Sequence, residues 1–338
     1  MSNKLENHIS LAHGNGGRFM RNLIDEIFLK NFSTDPSQVQ KDAVHIPTPA
    51  GKIMVTTDGF TVKPLEFPGG NIGSLAIHGT LNDLAVAGAK PMYLTLSVFV
   101  EEGFSTNSLR RIIESMGQNA TQNNVTIVAG DTKVLPRGEA NGLYFSMTGI
   151  GTCEPQLELD MKNIQAGDSI LVSGPVGDHG IAVMLAREEF GLKGNIQSDS
   201  ASVIPLAEAI YPVDGLRFMR DPTRGGIATV MHEISQGVQH SIKLNETQIP
   251  VRDEVRSVCS MLGYDPLYLA CEGRIVAVVD SRVAEKVLAI WKSLPNGHDA
   301  SMVGRVLHET YAEVILKTEL GGERFLEELE DDPLPRIC

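Results

Sequence analysis

Apolar positions recur at helical spacing soon after the start of the chain. Phe19, Leu23, Ile24, Ile27 and Phe28 mark one face of a helix that begins near Arg18. The run Ile53–Thr57 reads as a buried strand that stops at Asp58-Gly59. Pro68-Gly69-Gly70-Asn71 break the chain, and a helix rich in small residues is expected from Ile72 to about Ala89. Tyr93–Val100 alternate as a strand, Ser105 to about Asn123 has helical spacing, Val125–Ala129 is a short strand ending at Gly130-Asp131, and Leu143–Gly151 is the last strand of this half.

From Thr152 to Gly167 the pattern loses its period, and a domain boundary is placed there. The second half opens with strand Ser169–Ser173 and a Gly-Pro-Val-Gly-Asp-His turn. Helices are expected at 178–190, 201–211, 225–237, 251–262 and 282–293, and strands at 274–280, 301–306 and 312–317. Strands and helices alternate without a strict βαβ rhythm, so the fold class is α+β. The divisions are 1–152, 153–320 and a flexible tail, 321–338. Glu323–Glu330 suggest one or two helical turns. Asp331–Cys338 hold two prolines, which favour an extended chain of about 25 Å.

The chain has 338 residues, enough for two domains, and 42% of them are hydrophobic. A net charge of −13 argues against nucleic acid and against an anionic membrane surface. A nucleotide remains possible, because carboxylates hold one through bridging Mg2+. The first thirty residues carry no apolar run of signal or membrane-span length, so a cytoplasmic location is expected. Of the four cysteines, Cys153, Cys259 and Cys271 sit in apolar or mixed segments and read as inert small hydrophobes, without zinc-ligand spacing. Cys338 stands instead at the end of the proline-stiffened arm, where it can visit a site in its own body and another on a partner. The alternative is a frayed end without a role.

Asp42, Asp58, Asp83 and Asp131 fall at expected strand ends or in polar breaks, and Asp58 and Asp131 adjoin glycine. Magnesium bridging to phosphate oxygens would give these carboxylates a use, whereas a cap or turn role is the alternative for any one of them. Neither a Walker A loop nor a Rossmann fingerprint occurs. Three places offer exposed N–H groups to an anion: the Gly14–Gly17 loop, the Gly69-Gly70-Asn71 turn, and Thr223-Arg224-Gly225-Gly226 before a helix. All three are equally readable as plain turns. Lys133 and Arg224 would add positive charge at phosphates. Glu272, in Ala-Cys-Glu-Gly-Arg, is a candidate base whose small and apolar neighbours would raise its pKa; a surface glutamate is the other reading. His13 and His179 lie in glycine-rich turns and are structural or lesser site candidates.

TTDGF (56–60), FPGGNIG (67–73), HGTLNDLAVAGAKP (78–91), AGDTKV (129–134), DPTRGG (221–226) and PLPRIC (333–338) together resemble the HypE family of hydrogenase maturation factors. That family lies within the aminoimidazole ribonucleotide synthetase superfamily, beside selenophosphate synthetase and thiamine-monophosphate kinase. The resemblance runs through essentially the whole chain. It implies an N-terminal domain for ATP binding and dimerisation, whose sheet pairs with a second copy into an interface barrel, a C-terminal α+β sandwich, and a reactive tail. It implies ATP-dependent dehydration of an S-carbamoyl group on Cys338 to a thiocyanate, the source of the cyanide ligand on the iron of NiFe hydrogenase. The carbamoyltransferase HypF would load the sulfur, and a HypC–HypD scaffold would receive the cyano group. Carried onto this sequence, the catalytic set is Cys338, Glu272 and Lys133. The nucleotide set is Gly14, Gly16, Gly17, Asn71, Asn82, Thr132, Lys133, Asp221 and Arg224, and the metal set is Asp42, Asp58, Asp83 and Asp131. A small-molecule kinase of the same superfamily would need no Cys338. A non-enzymatic scaffold would leave the aspartates and glycines unused.

Overall fold

The apolar spacing after Gly17 does form a helix, Arg18–Leu23 (α1), continued by a π-helical stretch Ile24–Leu29. Leu23, Ile27 and Phe28 are buried on it, while Phe19 stays exposed. The computed structural model describes residues 7–15, 17–32, 43–47, 50–154, 156–187, 191–192 and 194–329. They divide into two units. The first holds the described residues up to Glu66, with Gly70–Leu84 and Lys90–Cys153; the second holds Phe67–Gly69, Ala85–Ala89 and those from Glu154 onward.

Unit 1 is built on a four-stranded sheet, with a short ladder of Glu66–Phe67 (β2) and Gly70–Asn71 (β3) nearby in sequence. Its strands are Lys52–Phe60 (β1), Ala89–Glu101 (β4), Thr126–Leu135 (β5) and Leu143–Cys153 (β6), in the order β1-β6-β4-β5. β1 is antiparallel to β6, and β4 is parallel to β5. The parallel pair is joined by helix Thr106–Gln122 (α3), the crossover that parallel neighbours need. Ser105 caps α3 by accepting the N–H of Ser108 at 3.3 Å.

Helix Ile72–Val86 (α2) is apolar or small on nearly every side and is buried all round. Each of Leu75, Ile77, Leu81 and Leu84 contributes about 1.5–3 kcal/mol by its burial. Glycine permits the closeness: a Cβ on Gly73 would lie 2.4 Å from the Ile112 carbonyl of α3. The helix ends at Val86, short of the expected Ala89, because Gly88 turns the chain with φ +82° into β4.

Two strand readings change. β1 runs through Asp58-Gly59 to Phe60, and it is an edge strand with Ile53 and Val55 exposed rather than buried. β5 likewise continues past Gly130-Asp131 to Leu135.

Unit 2 carries a seven-stranded sheet. Its strands are Ser169–Val172 (β7), Leu216–Arg220 (β8), Ile242–Asn245 (β9), Val276–Val279 (β10), Ser301–Val306 (β11), Val314–Lys317 (β12) and Glu323–Phe325 (β13). The order is β13-β12-β9-β11-β7-β10-β8. The helices are Asp178–Ala186 (α4), Ile204–Ile210 (α5), Gly226–Val238 (α6), Asp253–Leu262 (α7) and Ala284–Lys292 (α8). β7 and β10 are buried on both faces, which explains their unbroken apolar runs. Ile170, Val172, Val276 and Val278 pack with residues of α6, while Leu171 and Ala277 pack with those of α5 and α8.

Strands β8, β9 and β13 are absent from the sequence expectation. The helical turns expected over Glu323–Glu330 are not formed: Glu323–Phe325 pair antiparallel with β12, and 326–329 follow without helix. The arm Asp331–Cys338 lies outside the described residues. No described helix is long and apolar enough to cross a membrane. Cys153, Cys259 and Cys271 are buried, and among the described residues they form no disulfide. Burial pushes the Cys259 thiol up to about 11 and holds that of Cys271 well above its ordinary value.

Candidate functional site

In unit 1 the TTDGF strand and the helix holding Asn82-Asp83 come together. Thr56, Asp58 and Phe60 alternate onto one face of β1, opposite Gly149, Met147 and Phe145 of β6. That face is the one α2 covers. A Cβ on Gly149 would meet Thr80 and Leu84, and one on Gly79 would meet the Phe60 ring. Thr56 Oγ1 donates to Asp83 Oδ2 at 2.8 Å, so Asp83 and Asp58 share this edge of the sheet. Asp58 Oδ1 accepts the N–H of Gly59 at 2.7 Å. Asn82 is buried beside them on α2.

Asp131 does not join them within one chain. The β4–β5 ladder pairs Leu94 with Ile127 but Thr95 with Ala129, so Val128 is an inserted residue. A bulge of this kind re-aims every side chain after it. Thr132 and Val134 consequently face the core, while Asp131 and Lys133 are exposed on the opposite, open face. They also stand on the opposite edge strand, three strand spacings or about 14 Å from β1. Asp42 lies outside the described residues, and among those described no group of three or more His, Cys, Asp or Glu could hold a metal ion.

The first glycine loop packs on β5: a Cβ on Gly14 would sit 3.0 Å from Val134 Cβ. Gly17 is exposed at the N-cap of α1, where an added Cβ meets nothing, and Gly16 lies outside the described residues. His13 is buried, with Nδ1 accepting the N–H of Ser10 at 3.1 Å, so it braces the loop. Asn71 starts α2 as a cap; its Oδ1 accepts the N–H groups of Gly73 at 2.9 Å and Ser74 at 3.0 Å.

In unit 2 the DPTRGG turn and the A-C-E-G-R segment meet. The N–H of Cys271 donates to the Pro222 carbonyl at 3.0 Å, setting Asp221 and Pro222 beside Cys271 and Glu272. Gly226 has φ +59°, and a Cβ there would lie 2.5 Å from the Leu267 carbonyl. Asp221 and Glu272 are buried and Arg224 is exposed, at the entry of α6.

The surroundings of the Glu272 segment are ionic, not the apolar ones expected from Ala270 and Gly273. Its N–H donates to Asp199 Oδ1 at 3.1 Å. Arg274 donates through Nε to the Pro175 carbonyl at 2.8 Å, and lies 3.4 Å from Asp199 and 3.7 Å from Asp178. Arg252 holds Asp178 at 2.8 Å, while burial pushes the Asp178 carboxyl up. His179 is buried, with Nδ1 2.8 Å from Ser198 Oγ and the Phe67 ring edge-on at 5.4 Å; burial lowers it to about 4, so it is neutral at pH 7. Sequence reasoning missed Asp199 and Arg274. Arg274 follows Glu272 by two residues, but nothing in Ser-Asp-Ser marks Asp199.

Residues 40–153 match the model for the N-terminal domain of AIR synthase related proteins, and 165–317 match that for the C-terminal domain. The carbamoyl dehydratase HypE of Bradyrhizobium diazoefficiens is 43% identical over 332 residues, covering 98% of this chain and 96% of that protein. A crystal structure of the hydrogenase maturation protein HypE in complex with ATP superposes with a TM-score of 0.91 at 39% identity, covering 97% of this chain and 99% of that one. A chain from a HypE–HypF complex superposes with a TM-score of 0.80 at 40% identity, covering 93% and 100%. Two matched domains in order, and identity near 40% along almost the full length, establish that this chain belongs to the carbamoyl dehydratase HypE family of hydrogenase maturation proteins.

Proposed function

We propose that this chain uses ATP to dehydrate an S-carbamoyl group carried on its own Cys338, giving the thiocyanate from which the cyanide ligand of NiFe hydrogenase derives. The observation that carries the reading is the hydrogen bond from Cys271 to Pro222, which seats a glycine turn with Asp221 and Arg224 against Glu272.

An amide oxygen is a poor leaving group. Transfer of the γ-phosphoryl group to the carbamoyl oxygen releases ADP, while the nitrogen gives up one proton. The C–O bond then breaks, phosphate departs with the electron pair, and the nitrogen gives up its second proton as the C≡N bond forms. The S–C bond is untouched. Glu272 is the group that takes the nitrogen proton, and Cys338 is the carrier. Lys133 and Arg224 hold phosphate oxygens. Gly14, Gly16, Gly17, Asn71, Asn82, Thr132 and Asp221 complete the nucleotide contacts.

Asp58 and Asp83 fit Mg2+ by donor chemistry, since this ion is commonly held by one or two carboxylates together with substrate phosphates and water. It would neutralise charge on the phosphates; Asp42 and Asp131 are further carboxylates of the proposed set. Residues 1–152 serve as the ATP-binding and dimerisation domain, 153–320 as the C-terminal domain, and 321–338 as the tail. The chain acts as a homodimer whose four-stranded sheets pair by their open faces into a barrel. Exposed Ile53 and Val55 on the edge strand β1, and exposed Phe99 on the interior strand β4, support this, because an apolar edge strand and an apolar open face need a cover. HypF loads the sulfur and a HypC–HypD scaffold receives the cyano group, in the cytoplasm.

The test is mass spectrometry of the peptide bearing Cys338 after incubation with HypF, carbamoyl phosphate and ATP. A carbamoyl adduct that loses water only when ATP is present is expected. An adduct that persists, with rapid ATP hydrolysis in Cys338→Ala, would sink the reading.

A further inference from the structure

Four residues before the Cys338 arm are strapped to unit 2 by side chains that have no part in the chemistry above. β13 delivers the chain antiparallel to β12, and the N–H of Leu326 donates to the Val314 carbonyl at 2.8 Å. Leu326 is buried, and His232 Nε2 lies 2.9 Å from its carbonyl. Beyond it, Glu327 and Glu328 are exposed and held from α6 and the 266–268 turn. Tyr268 Oη donates to the Glu327 carbonyl at 2.7 Å, and Gln236 Nε2 donates to Glu328 Oε2 at 2.9 Å. Leu329 ends the strap against the DPTRGG turn, its Cδ1 3.2 Å from where a Cβ on Gly225 would be.

We infer that Tyr268 and Gln236 are positioning residues, which root the arm at Gly225 so that Cys338 reaches the Asp221–Arg224–Glu272 site of its own chain. The distances agree with this. Cys338 lies nine residue steps beyond Leu329, an extended reach of about 28 Å. Gly225 adjoins Gly226, whose Cβ position touches the Leu267 and Leu269 carbonyls just before Glu272. The arm is therefore far longer than the separation of root and site, and a short tether of this kind gives effective concentrations in the millimolar range. Releasing residues 327–329 moves the root back to Leu326, lengthens the arm, and removes its starting direction. The inference rests on the proposed dehydration of Cys338.

The experiment compares delivery within the chain with delivery from outside. HypF-loaded wild type and the double variant Tyr268→Phe/Gln236→Ala are given ATP in a single turnover, and thiocyanate formation on Cys338 is followed by mass spectrometry. The same pair of backgrounds, each also carrying Cys338→Ala, is then given a carbamoylated synthetic peptide of residues 330–338. A fall of at least threefold for the attached arm, with kcat/KM for the free peptide unchanged, is expected. An unchanged rate for the attached arm overturns the inference, and so does an equal fall for the free peptide, which would mean damage to the site. Failure of loaded wild type itself to dehydrate would overturn the underlying reaction and the inference with it.

Discussion

The backbone N–H of Glu272 donates to Oδ1 of Asp199, 73 residues away in sequence, while Oδ2 of the same carboxylate faces Nε of Arg274 at 3.4 Å. Asp199 thus holds the candidate base's backbone and neutralises a buried guanidinium at once. Asp199→Ala would leave Arg274 short of a partner in the interior, at a cost of about 3 kcal/mol. Asp199→Asn keeps an oxygen for the Glu272 N–H. The expected order of thiocyanate formation is wild type, then Asn, then Ala, with the melting temperature falling in the same order. An Ala variant as active and as stable as wild type would remove Asp199 from this role.

Thr56 and Asp83 give a second test. Thr56→Val removes the 2.8 Å hydrogen bond to Asp83 while keeping the shape of the side chain. A hydrogen bond to a charged group is worth about 1.5–3 kcal/mol, so ATP turnover is expected to fall by roughly 10- to 100-fold. Asp83→Asn is expected to abolish ATP turnover while the carbamoyl adduct on Cys338 still forms. Normal dehydration in Asp83→Asn would exclude Asp83 from the site.

Two buried histidines set a pH dependence of stability. Burial lowers His78 and His179 from 6.5 to about 4 in the folded chain. Between these values the unfolded chain binds protons that the folded chain does not, so stability falls as pH drops from 6.5 toward 4. Each histidine accounts for up to about 3 kcal/mol of that loss. Burial raises Asp168 and Asp178, which offsets part of it at the acid end. His78 Nε2 lies 2.9 Å from Asn119 Oδ1, and His78→Gln retains an amide donor for this contact. Urea midpoints measured across pH 4 to 7 should show a shallower slope in His78→Gln; an unchanged slope would assign the effect elsewhere.

Gly226 and Gly17 separate a required glycine from a permissive one. Gly226→Ala combines φ +59° with a Cβ 2.5 Å from a carbonyl oxygen, and should cost about 2–4 kcal/mol. Gly17→Ala places its Cβ in open space and should leave stability within about 0.5 kcal/mol. Thermal melts of the two variants decide this directly.

These contrasts show where the sequence was legible. The limits of α3 followed from a sustained helical period, which is local, and the structure adds a local serine cap at its start. β1 misled, because Ile53 and Val55 look the same whether they face their own core or an open surface. The faces of Asp131 and Lys133 depend on one inserted residue, Val128, which ordinary alternation does not reveal. The motifs themselves were readable, since TTDGF with Asn82-Asp83 and DPTRGG with Glu272 do pair off in space. Asp199 was not, because its role depends on a contact across 73 residues.

The separation of Asp83 from Lys133 within one chain leads to a test of the dimer. Asp58 and Asp83 lie at the β1 edge under α2, whereas Lys133 is on the open face of the β5 edge, about 14 Å across the sheet. One phosphate group cannot span both positions, and in the proposed dimer a nucleotide held by both would take the β1 edge of one protomer and the β5 edge of its partner. Asp83→Asn and Lys133→Ala are each expected to be inactive alone. If the subunits exchange at random, half of the dimers are mixed. Every mixed dimer has one site with both defects and one with neither, so about a quarter of wild-type ATP turnover should return. A site contained in a single chain predicts no recovery, because every chain in the mixture still carries a defect. Unfolding the two variants together and refolding them, with each variant treated alone as the reference, ensures that exchange has occurred. An activity that stays at the sum of the two references would rule out the shared site.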